Sequence, residues 1–351
     1  MVGGRTAPSG LRVWNRAVDT HMPIGSSIKP IAVYGPAIDS AGLGAGTIIQ
    51  NIKGRVNGWN TATGYPYAGS IDGPVTMRTA IASSLNLSAA RTLMEMMGDN
   101  PLDTSWSYLE KLGINMDTDY IKKTPAGLAL GVSGISALDL TVAYGAIGNE
   151  GEYISPTSFL RVEDADHNVI LDGKANQTHT QVFQPSTAWM LVDMMTTAVQ
   201  SGTGSRARVS GLTVAGKTGT NDDNTTFTFA GITPYYSCAV WIGHDNYEPM
   251  VNRGSGGTYA APLFSSIMTK IQEKKNAPNK DIIESSPESL GLRRVTVCQV
   301  SGMLATEACA LDAGGLTPVT DWFLASSAPS ESCTYHVLHD FCNDTGKIAT
   351  P

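Results

Sequence analysis

Three short stretches are the most informative for the fold of this chain: GSSIKP at residues 25–30, Ser84-Leu85-Asn86, and Lys217-Thr218-Gly219-Thr220. Ser-x-x-Lys and Ser-x-Asn are each expected about once by chance in a sequence of this composition, whereas Lys-Thr-Gly is expected only about 0.1 times. The three motifs also occur in order, each in a suitable local context. Their joint occurrence therefore indicates one site assembled from three distant parts of the chain.

The first motif pairs a serine with a lysine on one helix face. Ser26 is predicted at a helix start, where free backbone N–H groups and the helix dipole stabilise a developing anion. Lys29 follows at i+3 and lies on the same face. A lysine can take the proton of a serine hydroxyl only when its pKa is lowered, for example by burial or by a second cation such as Lys217. Without the other two motifs, an ordinary N-cap serine beside a solvated lysine would be the preferred interpretation.

The second motif interrupts a helical pattern that extends over residues 74–98. At this break the side chains of Ser84 and Asn86 can project into a cleft, although the same residues could simply cap the helix that follows. The third motif follows a strand-like run. There Gly219 would allow a substrate backbone to approach closely, while Lys217, Thr218 and Thr220 offer hydrogen-bond donors to a carboxylate.

Composition excludes several classes of protein. Of 351 residues, 42% are apolar, only 16% are charged, and the net charge is −7, which describes a globular chain and not a disordered one. No run of Lys or Arg is long enough to follow a phosphate backbone, so we expect no nucleic-acid partner. The longest apolar stretch, residues 125–148, is interrupted by Asp139 and is typical of a buried helix, not of a membrane span.

The residue pattern predicts helices through the middle of the chain, followed by an antiparallel sheet. The predicted helices cover residues 25–39, 74–98, 104–112, 136–149, 185–200 and 260–274. The predicted strands cover residues 158–162, 169–171, 212–218, 225–230 and 236–242. Because the last three strands are joined by short turns, they favour antiparallel pairing.

The sequence resembles the transpeptidase domain of class A penicillin-binding proteins from Val2 to about Lys274. The resemblance is carried by the three motifs, by Val2-Gly3-Gly4-Arg5, and by residues 127–153, 201–207, 214–224 and 239–246. It implies the α+β fold shared by penicillin-binding proteins and serine β-lactamases, in which an antiparallel sheet is flanked by helices and the active site lies between the sheet and an all-helical lobe. We therefore expect a domain at residues 1–275 with the helical lobe at about 40–150, a linker at 276–292, and a small extension at 293–351 that resembles that of Gram-positive members.

The resemblance also implies a role for each motif residue. Ser26 is the acylated nucleophile and Lys29 its proton acceptor, Ser84 relays a proton to the leaving group, and Asn86 holds the substrate amide or Lys29. Lys217, Thr218 and Thr220 orient the terminal carboxylate, and the backbone N–H groups of Ser26 and Thr220 form the oxyanion hole. We expect the reaction to need no cofactor and no metal.

The implied reaction is D,D-transpeptidation, in which stem peptides ending in D-Ala-D-Ala acylate Ser26, lose D-Ala and are cross-linked to an amine. β-Lactams would acylate the same serine. The alternatives are hydrolysis by a D,D-carboxypeptidase or β-lactamase, and a remnant domain that binds β-lactams without turnover. No general-base glutamate of the lactamase type is evident, which favours transfer.

Family members carry a membrane anchor and a glycosyltransferase domain before this region. Neither is present in the chain, so we expect no glycan polymerisation, and contact with the membrane only through the missing anchor. The expected location is the extracytoplasmic face of a bacterial membrane, with the cell-wall synthesis machinery as a further partner. The chain departs locally from the family where Ile24 separates Pro23 from Gly25, and where Thr228-Phe229 replaces a Trp-Phe pair.

Four of the five cysteines lie in the last 54 residues: Cys298, Cys309, Cys333 and Cys342. An even number in a small segment predicts two disulfides or unpaired thiols. The alternative is a zinc site, because Cys333, His336, His339 and Cys342 are spaced three residues apart and offer zinc-binding side chains.

Overall fold

The computed structural model describes residues 1–4, 14–59, 66, 69–116, 119–221, 223–250 and 254–339. Arg5, Asp222 and Cys342, which belong to stretches singled out above, lie outside the described residues. The α-helices are α1 (Gly35–Ala41), α2 (Met77–Ala82), α3 (Asn86–Met96), α4 (Pro101–Lys111), α5 (Pro125–Leu130), α6 (Ala137–Gly148), α7 (Pro185–Gln200) and α8 (Ala261–Lys275). The strands are β1 (Met22–Pro23), β2 (Ile48–Asn51), β3 (Gly73–Thr76), β4 (Gly134–Ile135), β5 (Glu152–Ile154), β6 (Arg161–Glu163), β7 (Val169–Asp172), β8 (His179–Gln181), β9 (Ala215–Thr220), β10 (Thr226–Ile232), β11 (Ser237–Gly243), β12 (Leu292–Val297) and β13 (Val319–Leu324).

The central sheet consists of β9, β10 and β11 in the order β11-β10-β9, with both pairs antiparallel. Every residue of β10 is buried, which requires packing on both faces of the sheet. Helices α6, α7 and α8 supply that packing against the three strands. The antiparallel sheet predicted from the three consecutive strand patterns is therefore confirmed, with boundaries shifted by one to three residues.

The segment that carries the first motif is helical but irregular. It begins with a 3₁₀ turn at Gly25–Ile28, widens into a π turn at Pro30–Tyr34 and continues as α1. Pro30 and Pro36 lack the backbone N–H that a regular α-helix needs, which accounts for the changes in helical pitch. Nearly all of its side chains up to residue 38 are buried, so the segment passes through the centre of the core.

A largely helical region follows, and it also contains the antiparallel pair β2 and β3. Side-chain caps explain where several helices begin. The hydroxyl of Thr76 accepts a hydrogen bond from the Thr79 N–H at the start of α2, and that of Ser136 accepts one from Asp139 at the start of α6. The capping pattern that predicted α6 is therefore confirmed. Among the described helices, none has both the length and the apolar character needed to cross a bilayer.

The C-terminal extension is built on the antiparallel pair β12 and β13, and it packs closely against the preceding domain. The Arg78 guanidinium on α2 binds the carboxylates of Asp321 on β13 and Asp193 on α7, at 2.6 and 2.5 Å. Trp322 meets Trp189 edge to face at 5.3 Å between ring centroids. Ile283, within the predicted linker, is buried in the main core.

Of the patterns predicted for the cysteines of the extension, the described residues show unpaired thiols, although these thiols are buried and not on the surface. Cys298, Cys309 and Cys333 are free thiols, so the prediction of two disulfides is wrong. The zinc set inferred from three-residue spacing is also wrong in part: His336 lies beside Cys333, but His339 is exposed and lies outside the cluster that they form. Tertiary folding brings Cys298 and Cys309 beside Cys333 and His336, where local spacing predicted His339.

Candidate active site

The three sequence motifs meet around Ser84. The Lys29 amine donates hydrogen bonds to the Ser84 carbonyl oxygen at 2.9 Å and to Asn86 Oδ1 at 2.7 Å. The Lys217 amine donates to Ser84 Oγ at 2.7 Å and to the Thr218 carbonyl oxygen at 3.1 Å. Lys29 and Lys217 are both buried and lie 188 positions apart in the sequence, yet both contact the same serine.

The loop that presents Ser84 is held in a conformation that non-glycine residues rarely adopt. Ser84 has φ +58°, in the left-handed region, between the end of α2 and the start of α3. The alternative in which this motif merely caps the next helix is wrong, because Leu85 occupies the N-cap position and no side chain caps that helix. Both Ser84 and Asn86 bind lysines instead. Such strain persists when surrounding contacts fix it, and it is common at functional sites.

Ser26 lies on the 3₁₀ turn and is half-buried, whereas its neighbours Gly25 and Ser27 are buried. The Ser27 hydroxyl donates a hydrogen bond to the Ile24 carbonyl oxygen at 2.6 Å, so it stabilises the turn. Of the two serines in the motif, Ser26 is therefore the more accessible to solvent.

Burial controls the protonation of Lys217. Its side chain is fully buried, and the loss of solvation lowers its pKa from 10.5 to about 7. At neutral pH the amine is therefore divided between its charged and neutral forms. Such a group can bind an anion when protonated and can accept a proton when neutral, which an ordinary solvated lysine does poorly at this pH.

Glycines bring the Ser26 turn against strand β9. Gly25 has φ +56°, and a Cβ atom built there would lie 2.6 Å from the Thr220 nitrogen and 2.5 Å from its oxygen. At Gly219, a Cβ would lie 2.0 Å from the Ile24 carbonyl oxygen and 2.9 Å from Ser27 Oγ. Gly219 is therefore required by packing within the protein, and its predicted contact with a substrate backbone stays a prediction. The backbones of the Ser26 turn and Thr220 lie side by side, as an oxyanion hole between them requires.

Two further groups position the side chains of the third motif. The hydroxyls of Thr203 and Thr218 are hydrogen-bonded at 2.8 Å, and Thr220 Oγ1 accepts from the Gly256 N–H at 3.0 Å. Reasoning from the three motifs did not identify Thr203 or Gly256. Thr203 lies in residues 201–207, a stretch noted above only for its family resemblance, whereas nothing in the local sequence singles out Gly256.

Comparison with known proteins agrees with this geometry. Residues 1–269 match the family described as "Penicillin binding protein transpeptidase domain", and residues 289–338 match "Penicillin-binding protein 1A, C-terminal domain". Penicillin-binding protein 1A of Clostridium perfringens is 35% identical over 357 aligned residues, covering 98% of this chain and 41% of that protein. That of Clostridium botulinum strain Hall is 35% identical over 361, covering 100% and 42%. The chain thus spans about two fifths of these curated relatives.

Solved structures show the same fold. Penicillin-binding protein 1A from Haemophilus influenzae matches with a TM-score of 0.71 and 20% identity, over 91% of this chain and 50% of that one. The PonA1 protein from Mycobacterium tuberculosis in complex with penicillin V matches with a TM-score of 0.64 and 22% identity, over 77% and 73%. The α+β fold expected from the motifs is therefore confirmed. Together with the match over residues 1–269, these findings show that the chain belongs to the penicillin-binding protein transpeptidase family.

Proposed function

We propose that this chain is a serine D,D-transpeptidase that cross-links peptidoglycan stem peptides through an acyl-enzyme on Ser26. The observation that carries the proposal is the convergence of Lys29 and Lys217 on Ser84, beside a turn that presents Ser26. A serine nucleophile needs a proton acceptor, and its leaving group needs a proton donor. The two lysine–serine contacts supply groups for both tasks.

In the first half-reaction, Ser26 Oγ attacks the carbonyl carbon before the terminal D-Ala, and its proton passes to Lys29. The substrate oxygen becomes an oxyanion that accepts hydrogen bonds from the N–H groups of Ser26 and Thr220. The peptide bond then breaks, and the proton that Lys29 took from Ser26 passes through Ser84 to the departing amine. The products are free D-Ala and an ester between Ser26 and the shortened stem peptide.

The terminal carboxylate binds at the third motif. Lys217, Thr218 and Thr220 line this part of strand β9 and offer an amine and two hydroxyls. A carboxylate beside Lys217 favours the charged form of the amine, so the ion pair forms with uptake of a proton near neutral pH. This accounts for the presence of a buried lysine here, because an anionic ligand offsets part of the free energy that is lost when the charged amine is removed from water.

In the second half-reaction, an amine from a neighbouring stem peptide attacks the ester carbonyl. The new amide bond forms, the ester bond to Ser26 breaks, and the proton lost by the amine returns to Ser26 Oγ. β-Lactams acylate Ser26 by opening their strained amide and remain attached. The reaction takes place on the extracytoplasmic face of the membrane, where the stem peptides are found.

Labelling with a fluorescent penicillin tests the acyl-enzyme. We expect the unmutated chain to become covalently labelled and Ser26→Ala to remain unlabelled. Ser27→Ala is the matched control, because it removes the neighbouring hydroxyl at a cost of about 1 kcal/mol in stability and leaves the nucleophile in place. Absence of label on the folded, unmutated protein would exclude acyl transfer.

A second assay separates transfer from the alternatives. The protein is given soluble peptidoglycan stem peptides together with an added amine, and the products are analysed by mass spectrometry. A transpeptidase incorporates the amine into the peptide. A D,D-carboxypeptidase releases hydrolysed peptide without incorporation. A β-lactamase is recognised instead by rapid release of the penicillin label, and a remnant domain that only binds β-lactams keeps the label and yields neither peptide product.

A further inference from the structure

Three cysteines and a histidine meet in the C-terminal extension, far from the candidate active site in the sequence. The Sγ atoms of Cys298, Cys309 and Cys333 and a ring nitrogen of His336 all lie within 4.8 Å of one another. The cysteines are buried, at 1%, 1% and 6% exposure. Apolar side chains of Val300, Met303 and Ala305 pack around them.

We propose that Cys298, Cys309, Cys333 and His336 bind one structural Zn²⁺ ion. Tetrahedral zinc with Zn–S of about 2.3 Å and Zn–N of about 2.1 Å places sulfur and nitrogen ligands about 3.6 Å apart. The His336 Nδ1 atom lies 3.5 Å from Cys298 Sγ and 3.7 Å from Cys333 Sγ. The protein therefore already holds these ligands at the spacing that the metal requires.

The surroundings of the four residues are those of a metal site. His336 Nε2 is hydrogen-bonded to Asp312 Oδ1 at 2.9 Å, which orients the ring and leaves Nδ1 directed at the sulfurs. Carboxylates commonly hold zinc-binding histidines in this way. The backbone N–H of Ser301 donates to Cys298 Sγ at 3.5 Å, and that of Thr306 to Cys309 Sγ at 3.3 Å. These donors stabilise sulfur in its thiolate form.

A disulfide explains the cluster less well. One bond between two of the sulfurs would leave the third cysteine and the His336–Asp312 pair without a role. A set of four protein ligands, by contrast, completes the coordination of zinc and leaves no position for a substrate, which is the signature of a structural site. The ion would join four points of the extension that lie up to 38 residues apart, from Cys298 to His336.

Metal content tests the proposal directly. We expect the unmutated protein, purified under reducing conditions without chelator, to contain one zinc ion per chain by inductively coupled plasma mass spectrometry. His336→Ala should lower the zinc content at least about tenfold. The matched control is His339→Ala, which removes an exposed histidine three residues further along. Cys309→Ser and Cys238→Ser form a second pair of the same design.

Measurements on the unmutated protein keep the test independent of variant folding. Replacement of zinc by Co²⁺ should give strong visible absorption bands and near-ultraviolet sulfur-to-cobalt bands, as expected for tetrahedral thiolate ligation. Cys298, Cys309 and Cys333 should resist alkylation until a chelator is added. The proposal is overturned if the reduced protein incubated with Zn²⁺ binds none, if His336→Ala retains full zinc, or if peptide mapping finds a disulfide among the three cysteines.

Discussion

Replacing Lys217 with methionine should remove a large pH dependence of stability. The side chain is fully buried, and its pKa in the folded protein is lowered to about 7 from the 10.5 of a solvated lysine. Between these two values the unfolded chain binds a proton that the folded chain has released. Raising the pH therefore stabilises the folded state, and this contribution is lost as the pH falls towards 7.

The expected size follows from the width of this window. Each pH unit between about 7 and 10.5 adds about 1.4 kcal/mol to the free energy of unfolding. Between pH 7.5 and 9.0 the contribution of Lys217 is therefore about 2 kcal/mol. Methionine has nearly the same length and no titrating group, so Lys217→Met should lack the whole of this increase.

Urea denaturation of the two proteins at pH 7.5 and 9.0 measures the difference. Lys174→Met serves as the control, because Lys174 is an exposed lysine remote from the site. We expect the unmutated protein and Lys174→Met to gain the same stability over this range. If Lys217→Met gains as much as they do, then Lys217 does not titrate in this window, and the proton uptake proposed for carboxylate binding fails with it.

Three further predictions concern the glycine contact, the ion pair and the lysine partner. Gly25→Ala should abolish penicillin labelling, because its Cβ would collide with the β9 backbone, whereas Gly211→Ala, with φ +70° and open space, should stay labelled. Arg78→Met should lower the free energy of unfolding by about 3 kcal/mol in urea titrations, because it leaves the buried Asp321 carboxylate unpaired. Arg16→Met, from an exposed ion pair, should lower it far less. Asn86→Leu should slow labelling about 10²-fold in stopped-flow assays, because it removes an acceptor of the Lys29 ammonium.

Sequence predicted those parts of the molecule that depend on local pattern. The strands of the central sheet, the capped start of α6 and the three motifs have periodicity or residue type that can be recognised within a few positions. The structure brings Lys29, Ser84, Asn86 and Lys217 together as these motifs indicated. Their chemical roles remain predictions for the labelling and product assays.

What sequence did not predict depends on contacts between distant residues. Arg78 and Asp321 are 243 positions apart, and neither is surrounded by a recognisable motif. Cys298 and Cys309 join His336 only because β12, β13 and the turns around them fold together, so spacing within the last residues pointed to His339 instead. The strained backbone at Ser84 is likewise held by lysines from two other segments, in addition to the local hydrogen bond from the Ser84 N–H to the Ile81 carbonyl oxygen.

The ion pair between Arg78 and Asp321 has a practical meaning for anyone preparing the transpeptidase region alone. A fragment ending at Lys275 would keep all three motifs. It would lack Asp321, however, and so would remove one carboxylate partner of Arg78 on α2, the helix that ends two residues before Ser84. It would also uncover Trp189. Inhibitor screens and crystallisation should therefore use a protein that retains β13, since a shortened one would present drug candidates with a differently supported Ser84 loop.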